Sequence, residues 1–318
     1  MFRSIAISDN AAPIVREDVA PDGLPGEGVL TWVDLISPTE ADLALLGARF
    51  GFHPLALEDC AHADQRPKHE EYGGYSFIVN QGFDWDGEGE LRWHELHAFL
   101  GPSYLVTVHD AHIPGLHDAW RRVLHDPSPL ARGVDFLYYV ILDQCVDHNF
   151  PILDRIGDEL ENLEDTVIFA PTKQCLSRIF TMKGHLSLMR KVLSPQRDVL
   201  ALLARRGDAR VSEKTAPYFR DVLDHMVRII ESIDSNRDLL SNALDAYMSS
   251  NGQRTNEVMK ALAIMSAVFM PLTFITGFFG QNFEHLPFGS DALMYSMIGA
   301  CLLSPVLLLL WFKSRHWF

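Results

Sequence analysis

The stretch TNEVMKALAIMSAVFMPLTFITGFFGQNFEHLP, residues 255–287, decides the fold of this 318-residue chain. Within it, residues 261–279 are 19 consecutive positions without a charged side chain. A helix of that length spans about 28 Å, close to the roughly 30 Å hydrocarbon core of a bilayer. A second uncharged stretch, ALMYSMIGACLLSPVLLLLWF, covers residues 292–312. Two such segments predict two transmembrane helices rather than two core helices of a soluble protein.

Basic residues predict how these spans cross the membrane. The connecting loop 280–291 contains no Lys or Arg, whereas Lys260 precedes the first span and Lys313 and Arg315 follow the second. Because cytoplasmic flanks carry the excess of basic residues, both termini are expected in the cytoplasm, with the chain in the cell inner (plasma) membrane and the loop outside it. Residues 313–318 are then a cytoplasmic tail. The N-terminus has no long apolar run, so no cleaved signal peptide is expected.

Composition and motifs argue against several classes of function. The net charge of −15 disfavours nucleic acid as a partner and favours attraction of cations. No P-loop, G-x-S-x-G or H-E-x-x-H motif occurs, which indicates a protein that is not an enzyme and needs no cofactor. His94 and His97 lie three residues apart in a predicted strand and so on opposite faces, which argues against a zinc site made by that pair. The four cysteines have no C-x-x-C spacing and are predicted to be free thiols.

The part before the spans is predicted to be an α+β cytoplasmic domain, a sheet flanked by helices, over residues 1–130. Strands are expected at 28–35 and 103–110, with a hairpin between them whose turn is Asp86-Gly87. The segment Ser37-Pro38-Thr39-Glu40 predicts the start of a helix with Ser37 as its N-cap. A second short helix is expected at 54–60.

Very long helices are predicted to follow this domain. Residues 131–216 are expected to form a cytoplasmic antiparallel hairpin, with one helix over 133–169 and the next from Thr172 to about Arg206. Between Pro217 and Pro271 a single glycine interrupts the helical pattern. A stalk helix over 217–279, roughly 90 Å long, is therefore expected to continue directly into the first span at about 261–279.

One face of this stalk helix carries residues separated by steps of three or four. This stripe consists of Asp245, Met248, Gly252, Asn256, Met259, Leu262, Ser266, Met270, Thr273 and Gly277. Within the membrane its members are small, hydroxyl-bearing or thioether side chains. Helix packing uses the same residue types, so the stripe alone leaves packing and pore lining both open. Two spans cannot enclose a pore, so a conducting path requires several copies around one axis.

Nearly the whole chain, from about residue 28, resembles the CorA family of magnesium channels. The segments that carry the resemblance are WVDL…SPTEADL, GFHPLALEDC, QRPKHEEYGGYSFIV, FLGPSYLVTVHD, KVLSPQRDVL, APYFRDVLDH and the stretch 255–287. The family ends its pore helix with G-M-N, where this chain has Gly280-Gln281-Asn282. The resemblance implies a CorA-like funnel, a homopentamer in which the long helix lines the pore and the second span surrounds it.

The resemblance also implies roles for individual residues. The implied selectivity filter, which receives a hydrated cation, is Gly280, Gln281 and Asn282, and the acids at the outer mouth are Glu284 and Asp291. The implied pore-lining and gate residues are Asp245, Asn256, Met259, Leu262, Ser266, Met270, Thr273 and Gly277. An inter-subunit regulatory metal site is implied at Glu58, Asp59, Asp143, Asp147 and Asp221.

The expected function is therefore Mg²⁺ influx, with Co²⁺ or Ni²⁺ as further cargo, gated by intracellular cation. The expected partners are other copies of the chain in a homopentamer, the lipid bilayer and divalent cations. One alternative is a transporter of Zn²⁺ or another transition metal of the ZntB type, since such relatives vary the middle motif residue. Another is a non-conducting scaffold or sensor, which is suggested by Gln281 and by Phe288, where the family has an acid.

Overall fold

The chain forms two compact units in a computed structural model that describes residues 1–8, 12–62, 64–86, 89–110, 112–169, 171–205, 210–281, 287, 289–315 and 317. The first unit comprises Met1–Thr166 and Lys173–Ala243, and the second comprises Val167–Thr172 and Leu244–Phe318. The domain boundaries predicted from the sequence at 130 and 216 stay predictions.

The first unit contains a seven-stranded sheet. Its strands are β1 (Phe2–Ser8), β2 (Ile14–Glu17), β3 (Val29–Ile36), β4 (Lys68–Tyr72), β5 (Tyr75–Trp85), β6 (Leu91–Leu100) and β7 (Tyr104–His109). Their order is β2-β1-β3-β7-β6-β5-β4. The β3–β7 pair is parallel and every other neighbouring pair is antiparallel. The predicted hairpin corresponds to β5 and β6, which pair from Ser76 opposite Leu100 to Trp85 opposite Leu91.

Helices make up most of the rest of the chain. They are α1 (Glu40–Phe50), α2 (Pro54–Ala61), α3 (Pro114–His125), α4 (Ser128–Ala131), α5 (Val134–Asp147), α6 (Asn149–Phe169), α7 (Lys173–Leu203), α8 (Ala216–Phe279) and α9 (Asp291–Ser314). The apolar part of α8 and the whole of α9 are long and apolar enough to cross a membrane. The predicted fold class, a sheet unit followed by very long helices and two apolar C-terminal helices, is confirmed.

Both faces of the sheet are covered by helices, because successive side chains point to opposite faces and every residue of β7 is buried. On one face, Phe52 next to α2 stacks on Phe99 of β6 at a ring distance of 4.0 Å. On the other face, Trp32 of β3 meets Trp120 of α3 at 4.9 Å. The same side of the sheet holds Asn80, which donates a hydrogen bond to the Tyr138 hydroxyl of α5 over 2.6 Å.

The prediction that Ser37 caps the first helix is wrong. The N-cap is Thr39, which forms a reciprocal capping box with Asp42. Ser37 has a positive φ of 49°. Its N–H donates to the His109 carbonyl and its hydroxyl donates to the Asp110 carbonyl. These long-range bonds make Ser37 the end of the β3–β7 pairing instead.

The helix predicted over 133–169 is also divided. It breaks at His148 into α5 and α6, and Asn149 donates to the carbonyls of Cys145 and Val146. Pro151 then lies in the first turn of α6, where its missing N–H costs no helical hydrogen bond. The next helix, α7, ends at Leu203 instead of near residue 206.

Candidate ion pathway and cation-binding cluster

The predicted stripe lies on an exposed face of α8. All ten of its residues, from Asp245 to Gly277, are exposed in the single chain. Met259 is 63% exposed, Leu262 59% and Met270 72%. Large apolar side chains left this open in one chain indicate that lipid or further copies of the chain cover them.

The opposite face of the same helical stretch is partly covered. Its residues include Ile264, Val268, Pro271 and Ile275, which recur at steps of three and four and are all of intermediate exposure. At 100° per residue this face lies about 180° from the stripe. The stripe is therefore the side of α8 that is turned away from its neighbour in the second unit.

That neighbour is α9, which forms an antiparallel pair with the apolar part of α8. The Lys260 ammonium lies 5.9 Å from the ring of Trp317, just beyond the end of α9. The start of the first apolar stretch and the end of the second therefore lie at the same end of the pair. The less exposed residues of α9 also follow one face: Leu293, Met297, Cys301, Ser304, Leu308 and Phe312.

Hydroxyl groups on the stripe keep their acceptor sites available. The Thr273 hydroxyl donates to the Phe269 carbonyl over 2.9 Å, and its lone pairs stay free to accept from the water shell of an ion. Pro271 cannot donate to the Ala267 carbonyl one turn earlier, which leaves that acceptor without its helical partner. The middle of the apolar part of α8 is thus more polar than its composition suggests.

The implied filter begins where α8 ends. The Gly280 N–H donates to the Thr276 carbonyl, and a Cβ at position 280 would lie 3.1 Å from that carbonyl oxygen. Gln281 is exposed and its N–H donates to the Phe278 carbonyl. Asn282 and Glu284 lie outside the described residues. Asp291, the other acid expected at the outer mouth, is exposed in the first turn of α9.

A second candidate site lies between α5 and α8 of the first unit. Asp143, Asp147 and His225 offer donor atoms that all lie within 4.8 Å of one another, the one set of three among the described residues. His225 Nδ1 is 2.6 Å from Asp147 Oδ1, and its Nε2 is 4.0 Å from Asp221 Oδ2. Three of the five predicted regulatory acids are thus brought together around a histidine. We call Asp143, Asp147, Asp221 and His225 the acidic cluster.

Repulsion between the carboxylates of this cluster affects the pKa of Asp143. Burial raises the pKa of Asp143, and the nearby charge of Asp147 raises it further, as does Asp221 to a lesser degree. The His225 side chain acts in the opposite direction. A cation bound here would relieve the repulsion, and carboxylates with one imidazole are suitable ligands for a divalent ion.

The other two predicted regulatory acids lie elsewhere in the single chain. Asp59 of α2 forms an ion pair with Lys68, with Nζ and Oδ2 2.7 Å apart. Glu58 is exposed on the same helix. The structure therefore places these two acids apart from the acidic cluster, and a site that uses all five must draw on more than one subunit.

His225 was missed at the sequence level although a signal was present. In YFRDVLDH it follows Asp221 by four residues, which places both on one face of a helix. The carboxylate partner on α5 could not be found this way, because Asp147 is 78 residues distant in sequence. Only the packing of α5 on α8 brings them together.

The comparisons with known proteins agree with this architecture. The profile of the family described as "CorA-like Mg2+ transporter protein" matches residues 27–314. The cobalt/magnesium transport protein CorA of Thermotoga maritima is 35% identical over 90% of this chain and 83% of its own length. A putative metal ion transporter of Bacillus subtilis, YfjQ, is 33% identical over 90% of this chain and 89% of its own.

A solved structure is similar over the full length. It is the CorA magnesium transporter of Methanocaldococcus jannaschii, with a TM-score of 0.86, 22% identity, and coverage of 99% of this chain and 98% of the other. At that identity the likeness supports the fold, whereas the family match supports the class of function. The matched profile spans strands β3 to β7, the acidic cluster, the exposed stripe and both apolar helices, and the chain belongs to the CorA family of divalent-cation transporters.

Proposed function

We propose that five copies of this chain form a channel through which Mg²⁺ enters the cell down its electrochemical gradient. The observation that carries this proposal is the exposed stripe on α8, opposite the face packed on α9. Five such stripes around one axis would enclose a path whose lining includes Asn256, Ser266 and Thr273. Met259, Leu262 and Met270 would form apolar constrictions that block ions by dewetting when the path is narrow.

The outer mouth would be lined by Gly280, Gln281 and Asn282. Mg²⁺ loses its water slowly, so amide and carbonyl oxygens that bond to its hydration shell can hold it without stripping it. Neutral dipoles bind weakly enough for the ion to move on. Glu284 and Asp291 would concentrate cations before this ring.

The orientation of the chain follows from the charges at one end of the α8–α9 pair. Lys260, Lys313 and Arg315 are all near that end, and we propose that it faces the cytoplasm. The sheet unit and the acidic cluster would then be cytoplasmic. An interior-negative potential would add about 2.3 kcal/mol per charge per 100 mV to inward movement.

The regulatory part of the proposal concerns the acidic cluster together with Glu58 and Asp59 of a neighbouring copy. A cytoplasmic divalent ion between them would hold the subunits together and favour the closed state. Loss of the ion would leave like charges facing each other and shift the population toward the open state.

A second candidate cargo is Zn²⁺ or another transition metal. His225 within the acidic cluster favours a transition ion as the regulatory ligand, because imidazole suits such ions better than Mg²⁺. Gln281 in place of the family methionine is a further reason to test the cargo directly.

The experiment is a flux assay with the purified full-length protein in liposomes. Uptake of Mg²⁺, Co²⁺, Ni²⁺ and Zn²⁺ is compared under an interior-negative potential, with Asn282→Ala and protein-free liposomes as controls. We expect Mg²⁺ uptake that the variant loses, from particles whose mass by light scattering corresponds to five chains. Uptake of Zn²⁺ alone would favour the second candidate. An intact oligomer that passes none of the ions would overturn the proposal in favour of a scaffold or sensor.

A further inference from the structure

A pocket in the first unit contains donor groups that the transport proposal does not use. It encloses about 190 Å³ between the end of α2 and strands β6 and β7. Its lining includes a thiol, imidazoles and carboxylates: Cys60, His62, Glu95, His97, His109 and Asp110. This mixture of sulfur, nitrogen and oxygen donors is distinct from the acidic cluster in both place and chemistry.

Strand geometry directs two of these groups into the pocket together. Glu95 and His97 are two residues apart on β6, so their side chains leave the same face of the sheet. Phe99, the next residue on that face, stacks on Phe52 beside α2. The pair therefore faces α2, whose last turn carries Cys60.

This buried pair has no hydrogen-bond partner outside itself. His97 Nε2 and Glu95 Oε2 face each other at 3.4 Å, and neither atom forms a further hydrogen bond to the described residues. The two side chains are only 6% and 8% exposed. Two ligands at about 2.0–2.1 Å from a tetrahedral metal ion lie roughly 3.3–3.4 Å apart, so this spacing already corresponds to one edge of such a shell.

The side chain of Gln81 also holds the Glu95 carboxylate in position. Gln81 Nε2 donates to Glu95 Oε1 over 3.3 Å and to the Gln65 carbonyl over 2.6 Å. Outer partners of this kind fix metal-binding carboxylates and leave the other oxygen to the ion. Leaving these two buried polar atoms with only their mutual contact would otherwise cost stability.

Cys60 supplies the soft donor. It is 5% exposed, and its thiol pKa is raised by burial and by the charges of Asp59, Asp110 and Glu95. The thiol is therefore protonated at neutral pH. The acidic cluster is the one described set with three donors within 4.8 Å, so Cys60 Sγ must approach the pair when an ion binds.

We propose that this pocket is a binding site for a borderline transition-metal ion such as Zn²⁺ or Co²⁺, with His97 Nε2, Glu95 Oε2 and Cys60 Sγ as ligands. On binding, the S–H bond breaks, the sulfur–metal bond forms and the proton leaves to solvent. Thiolate and imidazole select such ions over Mg²⁺, which requires oxygen ligands in near-octahedral geometry. The site lies within the first unit and would report on transition metals independently of the pore.

The test uses the full-length protein in detergent, stripped of metal and titrated with Co²⁺. We expect a thiolate-to-cobalt charge-transfer band that Zn²⁺ displaces and excess Mg²⁺ does not. Cys60→Ser should abolish the band, and His97→Ala and the near-isosteric Glu95→Gln should weaken Co²⁺ binding at least tenfold. One proton should be released per ion when the pH is buffered weakly.

The matched control is Asp147→Asn with His225→Ala, which removes ligands of the acidic cluster and should leave the band unchanged. Size-exclusion profiles and near-ultraviolet circular dichroism verify that each variant is folded. A band that survives in Cys60→Ser, or no band in the folded wild type, would overturn the proposal. Equal Co²⁺ binding by wild type and Glu95→Gln would also overturn it and leave the pocket as a water site. Because the readout is binding, its failure is separate from a failure of ion flux.

Discussion

The two halves of α8 are parts of one continuous helix in two different environments. In the first unit its apolar side chains are buried, with Phe219, Val222 and Met226 at 0% exposure. From residue 248 to 279, a stretch that is described throughout, no residue is buried. Met270 and Phe274 there are 72% and 70% exposed.

The difference teaches that the apolar side chains of α8 find their contacts within one chain in the first unit but not in the second. Water drives apolar groups inward in the first unit. In the second, lipid or further copies of the chain must supply the missing contacts.

The largest effect, a loss of folding stability, is expected for Asp34→Ala in the first unit. Asp34 is fully buried and paired with Arg3 at 2.7 Å and His109 at 3.4 Å. Removing it leaves the buried Arg3 guanidinium without its carboxylate partner, which should cost about 3–5 kcal/mol in free energy of unfolding. Denaturant titration of the first unit's tryptophan fluorescence measures this.

The control for this prediction is Arg16→Ala, which breaks the exposed Arg16–Asp22 pair and should cost less than about 1 kcal/mol. The pH dependence provides a second check. Burial would raise the Asp34 pKa, but the hydrogen bond and charge of His109, with Arg3 and Thr107, lower it overall. The stabilisation is therefore present above the ordinary carboxyl pKa and lost as the pH falls through the lowered one. Equal free energies of unfolding for Asp34→Ala and Arg16→Ala would contradict this prediction.

The second-largest effect, a loss of ion flux, is expected in the exposed half of α8. Thr273→Lys should lower divalent-cation flux by ~100-fold or more, because ammonium groups around a shared axis repel the ion. Thr273→Ser keeps the hydroxyl and should stay within a few-fold of wild type. Both are compared in liposomes at equal protein incorporation. Normal flux through the lysine variant would place Thr273 outside the path.

A smaller effect, a loss of metal affinity, is expected at the acidic cluster. His225→Ala should weaken stabilisation by Zn²⁺ or Co²⁺, with a loss of roughly 10–100-fold in apparent affinity, and change the response to Mg²⁺ less. Thermal unfolding against metal concentration measures it, because a ligand of the folded state raises the midpoint. Asp154→Asn, an exposed acid on α6, is the control. A response identical to that control would remove His225 from the site.

The smallest effect, a gain in folding stability without metal, is expected for Asp143→Asn. Since its pKa is raised in the folded chain, the ionised carboxylate opposes folding above that pKa, and the opposition fades as the pH falls. The metal-free variant should therefore be more stable at neutral pH by a few tenths to about 1 kcal/mol, after screening by solvent. It should also gain less from added metal. A variant that is less stable at neutral pH without metal would refute the assigned repulsion.

Features whose pattern lies within one helix or strand could be predicted from the sequence, whereas contacts between distant residues could not. Each apolar span, like the periodic stripe, is a property of a single helix, and the fold class that these features indicate was correct. Asp143, Asp147 and Asp221 were predicted through a family resemblance, and three-dimensional packing was needed to bring them together with His225. The predicted roles of the stripe and filter residues stay predictions.

The errors came from long-range or competing contacts. Ser37 has the right residue type for an N-cap, but its backbone and hydroxyl bond to His109 and Asp110, more than 70 residues distant. The break at His148 was missed because the apolar period continues through it, although Pro151 was a local sign. The signal for Glu95 and His97 was their spacing of two, which places both side chains on one face of β6, and not the spacing of three between His94 and His97.

The proposed channel requires that the stripe on α8 faces water while the outer side of α9 faces lipid. Thr273→Cys and Leu302→Cys test it as a pair, since both positions are exposed in the single chain and neither is charged. In a Cys301→Ser background reconstituted in liposomes, each is treated with a positively charged, membrane-impermeant thiol reagent during flux. We predict that Thr273→Cys is modified and blocked while Leu302→Cys is untouched. Modification of Leu302→Cys with Thr273→Cys left intact and conducting would contradict the account.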